Sequence, residues 1–572
     1  MLLPRTDDRL CWFVQGGSAL VTTMCGGDGT LVLLRAHGEE VMAGIPVMGQ
    51  CSIRVEEAYM RENVIDGAAF GLYVILPFLL TGITRSCTGV RAQDVLLRRP
   101  VALPRSGSWG NFINGYLEMP LALVLLLLVY LVITAALWIV WARHFQEYYP
   151  SKYCIPGAAG RMTAYHISLA SYLGTRRFTW SWWLLRLPYE RALKAHYVVG
   201  TVAFVLAFVH GFAYLNAYNW TIPGNVSLSA YPMLVGLGIM APVTIPNVRV
   251  AWYSLFRVTH FIAPGILLLA CLHVVSLSAL GRLPRGLLGA LLWVATATLF
   301  WVCDFVQTCV DATWSGPVTL QSQPVLLPAT GGDASYLVVV CSKRTRVHHG
   351  CWMSVACPSA KTVLSHPLTA VVHKTGSNGE EALLEFVCKV HPGRWTHSLY
   401  AVAEKAGGTQ LPLVVTGPFG GGLGSLSSLR PESRALVFVC GGIGVTPAAS
   451  MMGMVAGSEA HSVHVVWSFR SMSLFEHMRR HFVSLPQDNC HFHITNKDQP
   501  ASMGAGVHDG RPDLPALLDQ IRFRAEAQGR LEIGVFVCGP AAMAAEVLTV
   551  TRELNRSQAR SYFHVHCESF QM

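Results

Sequence analysis

The chain has 572 residues, of which 52% are hydrophobic and only 13% charged, with a mean hydropathy of +0.40; soluble domains average about 25% charge, so a wholly soluble protein is excluded. The formal net charge of +10 sits largely in loops beside apolar runs, the positive-inside pattern rather than the basic face of a nucleic-acid binder. The sixteen cysteines show neither CxxC pairs nor zinc spacing, so no zinc site or iron–sulfur cluster is expected from them.

Residues 1–115 carry no motif that assigns them a function. Arg5, Asp7, Asp8 and Arg9 precede a run too weakly apolar for a signal peptide. The run "AAFGLYVILPFLLTGI" at 68–83 is short and contains Pro77; it is a candidate extra span that would place residues 1–60 outside. The clearest span, Met119 to Ala142, exceeds the roughly 20 residues a bilayer requires. Arg85, Arg91, Arg98, Arg99 and Arg105 precede it and mark that side as cytoplasmic. A weaker span covers 160–176 and ends in an Arg-rich stretch. A span from His196 to His210 runs outward to a loop without Lys or Arg that carries two glycosylation sequons, at Asn219 and Asn225. A short span at 231–246 returns toward Arg249 and Arg257, a span from His260 to His273 runs out, and one beginning at Arg285 comes back. That gives six core spans with both ends of the bundle cytoplasmic.

Two of these spans are opened and closed by histidine, where ionisable residues are costly and usually functional. Fourteen residues separate His196 from His210, about 21 Å along a helix and within roughly 40° of one face. His260 and His273 are thirteen apart, which on an ideal helix leaves them some 140° apart. Pro264 between them predicts a kink or overwound turn. Unrelated polar residues near helix ends would explain either span alone. Both spans run the same way, so His196 lies level with His260 and His210 with His273, which fits axial ligation of two stacked b-type haems. His166, alone in the weaker span, reads as structural.

Beyond residue 315 short β-branched runs split by Gly and Pro predict the strands of a flavin-binding barrel. "ALVFVCGGIGVTPAASMM" predicts a strand, a glycine turn at Gly442 and Gly444, and a helix with Pro447 in its first turn, an arrangement suited to phosphate. The next strand ends at Arg470, which is either a surface charge or the group that accepts the 2′-phosphate of NADP. A later strand ends in Cys538-Gly539-Pro540.

"RLPYERALKAHYVVG", the histidine pairs spaced by 14 and 13, "HPLT", "GRWT", "GPFG", "GGIGVTP", "VFVCGP" and "ESF" occur in one order over 158–572. In this the chain resembles the ferric reductase and NADPH oxidase superfamily. The resemblance implies a multi-pass α-helical membrane bundle of six core spans, with the seventh candidate, followed by a cytosolic ferredoxin-NADP reductase-like module. The expected domains are an N-terminal region 1–115, a transmembrane haem domain 116–310, a FAD-binding β-barrel 316–425 and an NADPH-binding α/β domain 426–572. It implies haem ligation by His196 with His260 and by His210 with His273. It implies flavin contacts from His366, Pro367, Leu368, Thr369, Trp395 and Thr396, with Leu368 standing where the family usually has Phe and so offering no aromatic face. Gly442, Gly444, Thr446 and Pro447 correspond to the NADPH phosphate loop, Cys538, Gly539 and Pro540 to the nicotinamide-side turn, and Phe570 to the terminal aromatic that covers the flavin.

The implied activity moves electrons from cytosolic NADPH through FAD and two b-type haems to an acceptor across the membrane, most simply a plasma membrane. An Fe(III) chelate is the expected acceptor. The short "LSALGRLPRG" loop leaves the outer haem thinly roofed, and Arg282 and Arg285 on that side would attract an anionic chelate. The alternative is a superoxide-generating oxidase reducing O2, and the non-enzyme alternative a membrane carrier that has lost redox activity. No EF-hand loop is present, so direct calcium control is not expected; nucleic acid is not an expected partner.

Overall fold

The computed structural model describes residues 12–16, 19–25, 31–35, 60–77, 79–80, 121–148, 151–176, 189–217, 219–220, 224–279, 287–314, 318–329, 334–360, 365–376, 381–405, 411–420, 426, 429, 434–455, 462–496, 506–557 and 560–568. Phe570, Arg282 and Arg285 lie outside them. Near the N-terminus, strands β1 (Trp12–Gly16), β2 (Ala19–Cys25) and β3 (Leu31–Arg35) form an antiparallel sheet in the order β1-β2-β3.

Among the described residues the bundle contains α1 (60–77), α2 (Leu121–Tyr148), α3 (Cys154–Gly174), α4 (Tyr189–Ala217), α5 (Gly224–Thr244), α6 (Tyr253–His260), α7 (Ile262–Ala279) and α8 (Leu287–Trp314), with a short helix at Pro246–Ala251 between α5 and α6. Among the described residues five spans are long and apolar enough to cross a membrane, α6 and α7 together making one of them. The sixth expected span, α3, is less apolar because it lies inside the bundle, with Tyr165, His166 and Met162 wholly buried. It packs against α2, α4 and α8, so most of its side chains meet protein rather than lipid.

The seventh candidate is helical, but it starts at residue 60 rather than 68, and Gly71–Ile75 form a π-helical turn. Ala69 and Tyr73 join the bundle core, and Phe70 meets Trp293 edge-on at 5.7 Å. The two turns ahead of residue 68 carry Glu62 and Asp66, both buried. Charges there conceal a helix from any reading based on apolar runs.

The predicted irregularity after His260 is a break. α6 ends at His260, Phe261 N–H bonds to Val258 O at 3.3 Å, and α7 begins at Ile262. Pro264 has no N–H for the His260 carbonyl, so the α-helical ladder cannot run through.

The rest is two lobes. Strands β4 (Thr319–Leu320), β5 (Val325–Leu327), β6 (Tyr336–Lys343), β7 (Trp352–Ala356), β8 (His366–Lys374), β9 (Ala382–Lys389) and β10 (Val414–Phe419) form an antiparallel sheet, β10-β7-β8-β9-β6-β4 with β5 on β6. Helix α9 (Trp395–Lys405) packs on it. The second lobe is a parallel sheet of β11 (Arg434–Gly441), β12 (Val463–Phe469), β13 (Cys490–Ile494), β14 (Val507–Asp509), β15 (Glu532–Cys538) and β16 (Tyr562–Glu568), in the order β14-β13-β12-β11-β15-β16. Its helices are α10 (Val445–Val455), α11 (Met472–Met478), α12 (Leu514–Ala527) and α13 (Ala541–Arg556). The strand order reverses direction at β11, and in such sheets ligands bind beyond the carboxyl ends of the strands at that point. Tyr336, Val338, Val371 and Val387 of the barrel share one core with Leu436, Met451 and Met452 of the second lobe. The whole is a membrane bundle joined to a ferredoxin-NADP reductase-like module.

Candidate functional site

Inside the bundle the four predicted histidines come together as two pairs. The His196 and His260 ring centres are 6.0 Å apart, those of His210 and His273 6.2 Å, with the planes at 83° and 90°. Two imidazoles on opposite sides of one iron, each nitrogen about 2 Å from the metal, have centres roughly 6.3 Å apart. Second contacts aim the rings. His196 Nδ1 donates to Ala170 O at 2.8 Å and His210 Nδ1 to Pro156 O at 2.9 Å, leaving Nε2 of each for a metal. His273 Nδ1 lies 3.2 Å from Ser229 Oγ, while His260 Nδ1 is buried without a partner. These residues fit haem, one pair above the other on α4.

α3 makes room for both pairs. A Cβ on Gly160 would lie 2.6 Å from His210 Cε1, and one on Gly174 3.3 Å from His196 Nδ1. Fourteen residues separate these glycines, the same interval that separates the histidines of α4. That matched spacing was a readable signal which inspection of the histidines alone missed.

A polar cluster also went unforeseen. Arg161, next to Gly160, pairs with Glu62 and lies 3.3 Å from Asp66, while His144 Nε2 is 3.2 Å from Glu62. Tyr165 donates to Asp66 and accepts from Trp141 Nε1 at 3.1 Å. All these side chains are buried, and such charges persist in a bundle only when paired. The i,i+4 pair Glu62 and Asp66 was its only sequence trace. His166 is structural as expected, with Nδ1 2.6 Å from Met162 O and Nε2 3.2 Å from Thr134 Oγ1.

The His196–His260 end of the bundle faces the barrel. Arg257 Nη1 donates to Ser365 O at 2.5 Å, and the rings of Tyr253 and His366 are 6.4 Å apart. On the barrel side β8 opens with His366, Pro367, Leu368 and Thr369, the last buried. His366 stacks on Trp395 at 4.3 Å and 17°. Trp395 Nε1 is buried without a hydrogen-bond partner, which suits a ligand acceptor beside the stack. Thr396 Oγ1 accepts from His391 N–H at 3.0 Å, so this hydroxyl also serves the local turn. Burial, then the Arg257 charge, holds His366 down at about 4 and keeps it neutral at physiological pH.

In the second lobe the two glycine-bearing turns meet. A Cβ on Gly444 would sit 2.3 Å from Cys538 O, and one on Gly441 2.6 Å from Pro540 Cδ. Gly442 has φ +55, a conformation glycine adopts without penalty. Thr446 Oγ1 bonds to Ile443 O at 3.1 Å, and Val445, Thr446 and Pro447 open α10 as predicted. Arg470 follows β12 and is exposed at the same carboxyl edge. Burial, reinforced by Glu568, pushes the Cys538 thiol well up, so it shapes the turn as a neutral group.

The fold and site define a class: a helical bundle with two facing histidine pairs, joined to an antiparallel barrel and a parallel sheet with a glycine turn at its switch point. Comparison narrows the class. The family "Ferric reductase like transmembrane component" matches residues 159–271, and "Ferric reductase NAD binding domain" matches 487–552. Dual oxidase 2 of Rattus norvegicus is 26% identical over 43% of this chain and 18% of its own length. Dual oxidase 1 of Canis lupus familiaris is 23% identical over 67% of this chain and 28% of its own. Ferric reduction oxidase 2 of Arabidopsis thaliana is 25% identical over 49% of this chain and 37% of its own. The chain thus spans well under half the length of these curated relatives. A ferredoxin reductase in carbazole 1,9a-dioxygenase aligns with 44% of this chain and 70% of its own at 16% identity, with a TM-score of 0.30. Two segments of the chain thus match ferric reductase family models, and the relatives it resembles are dual oxidases and a ferric reduction oxidase.

Proposed function

We propose that the chain passes electrons from NADPH on the reductase side, by way of FAD and two haems, to an Fe(III) chelate on the opposite face of the plasma membrane. The observation that carries the transmembrane reading is the two imidazole pairs at 6.0 Å and 6.2 Å. His196 and His260 hold the haem nearer the barrel, His210 and His273 the farther one, and the carbonyls of Ala170 and Pro156 fix two of the rings. Bound FAD takes up electrons in pairs and releases them singly, which haem iron requires. His366, Pro367, Leu368, Thr369, Trp395 and Thr396 hold the flavin beside the bundle, and Arg257 anchors that strand to α6. Gly442, Gly444, Thr446 and Pro447 receive the nucleotide phosphates, Arg470 the 2′-phosphate, and Cys538, Gly539 and Pro540 the nicotinamide side. The resemblance stated above assigns Phe570 the role of the terminal aromatic.

The choice of chelate rests on the short connections on the side of the far pair. Only residues 218–223 join α4 to α5, and only 280–286, with Arg282 and Arg285, join α7 to α8. Reduction of O2 to superoxide is the second reading, favoured by the relatives named dual oxidases. Purified protein given NADPH in air, with and without Fe(III)-citrate, separates them. Chelate reduction outpacing superoxide release supports the first. Superoxide accounting for nearly all NADPH consumed with chelate present supports the oxidase.

A further inference from the structure

Where the two lobes of the reductase meet, a carboxylate is buried without apparent need. Glu385 lies on β9 with its side chain 0% exposed. A carboxylate removed from water is costly unless neutralised and hydrogen-bonded. Four groups converge on it: His373 Nε2 at 2.6 Å, His477 Nε2 at 2.7 Å, Arg480 Nη2 at 2.8 Å and His481 Nε2 at 3.6 Å. Burial would raise the Glu385 pKa, but the hydrogen bonds from His373, His477 and His481 outweigh it and hold the group well below the usual carboxylate range.

The convergence is built from both lobes. His373 is on barrel strand β8, where the register with β9 shifts between Val372 and Lys374. A bulge of this kind re-aims a side chain. His477 belongs to α11 and His481 to the following turn Arg479–Phe482, four residues on and therefore on the same helical face. The ligand atoms of His373, Glu385 and His481 all lie within 4.8 Å of one another, and the His373 and His481 rings are 5.4 Å apart. His481 Nε2 is buried with no hydrogen-bond partner, and its side chain is only 10% exposed. Arg480 alone would neutralise the carboxylate, so charge balance does not explain three imidazoles. Two imidazole nitrogens and one carboxylate oxygen, with a fourth position for water, are a donor set of a tetrahedral zinc-class ion, whose ligand atoms stand roughly 3.3 Å apart. The His373 and His481 nitrogens stand 2.6 Å and 3.6 Å from Glu385 Oε2, on either side of that value.

We propose that His373, His481 and Glu385 form a binding site for a divalent transition-metal ion of the zinc class, with His477 holding the other carboxylate oxygen, a staple between the flavin barrel and the nucleotide lobe. Arg480, 49% exposed, supplies positive charge in the present arrangement and swings to solvent when the metal replaces it. β8 carries the flavin motif seven residues before His373, and α11 follows directly on Arg470. The staple therefore ties the strand that faces the flavin to the segment that faces the nucleotide.

The test uses the full chain in lipid nanodiscs with its flavin and haem, treated with chelator and then loaded with Zn(II) alone. After desalting, the native protein should retain about one more zinc per chain than His373→Gln/His481→Gln, and zinc-edge X-ray absorption should show a nitrogen and oxygen shell with imidazole scattering. The single variant His481→Gln should hold zinc roughly ten-fold or more less tightly and serves if the double variant is poorly folded, as its haem and flavin spectra would reveal. Zinc should raise the melting temperature of the native protein and not of the variants. Equal zinc retention by native and variant protein, or sulfur in the metal shell, would overturn the site. None of these readouts depends on which electron acceptor the protein uses.

Discussion

Arg470 is one surface charge among many, yet it follows β12 at the edge where the two glycine turns meet. Losing a charge-assisted phosphate contact costs about 1.5–3 kcal/mol, so Arg470→Ala should raise the Michaelis constant for NADPH roughly ten-fold or more and leave NADH nearly unchanged. Equal effects on both nucleotides in steady-state kinetics would remove it from the 2′-phosphate. His366 gives a pH signature. Burial, with Arg257 second, lowers it from 6.5 to about 4. The unfolded imidazole takes a proton below about 6.5 and the folded one does not until about 4, so stability falls with pH across that window and is unaffected above it. FAD release followed from pH 7.5 down should rise there, and His366→Gln should flatten the rise; an unchanged profile would assign it to other groups. At this scale the sequence was informative where chemistry restricts residue choice, as at the histidines and glycines. It gave Arg257 only as a flanking charge and was silent on Ser229, since neither belongs to a motif.

Helix α3 shows why elements are harder to read than residues. Its hydropathy is low because neighbouring helices, not lipid, cover it, so a scan for apolar runs gave it weakly and α1 late. What α3 contributes is absence of bulk. Gly160→Ala would put a Cβ within 2.6 Å of the His210 ring, whereas Gly174→Ala meets His196 at 3.3 Å. Haem assays on purified variants should show a clear loss for the first, up to about one haem, and little change for the second; the reverse order would mean that α3 does not shape the far site. The break at Phe261 is a companion device. Pro264→Ala restores an N–H and favours a continuous helix, which would rotate His260 some 140° from His273. Haem content should fall; unchanged content and spectrum would show that the break is set by other contacts. The kink was legible from Pro264, but its place, immediately after His260, depends on the packing of α6.

Across the whole molecule the proposed path runs from the glycine turns of the second lobe to strand β8, Arg257, the His196–His260 pair and the His210–His273 pair. The order of parts was legible because motif order survives in a chain even where overall identity is low. The contacts between parts were not, since the Arg257–Ser365 link and the Glu385 cluster join residues about 100 positions apart. The most direct measurement uses proteoliposomes with the reductase lobes outside, NADPH supplied outside and a membrane-impermeant Fe(III) chelate trapped within. The trapped iron should be reduced by the native protein and not by His210→Ala, in which NADPH should still reduce the flavin. Undiminished reduction of the trapped chelate by His210→Ala would contradict passage of electrons through the far histidine pair.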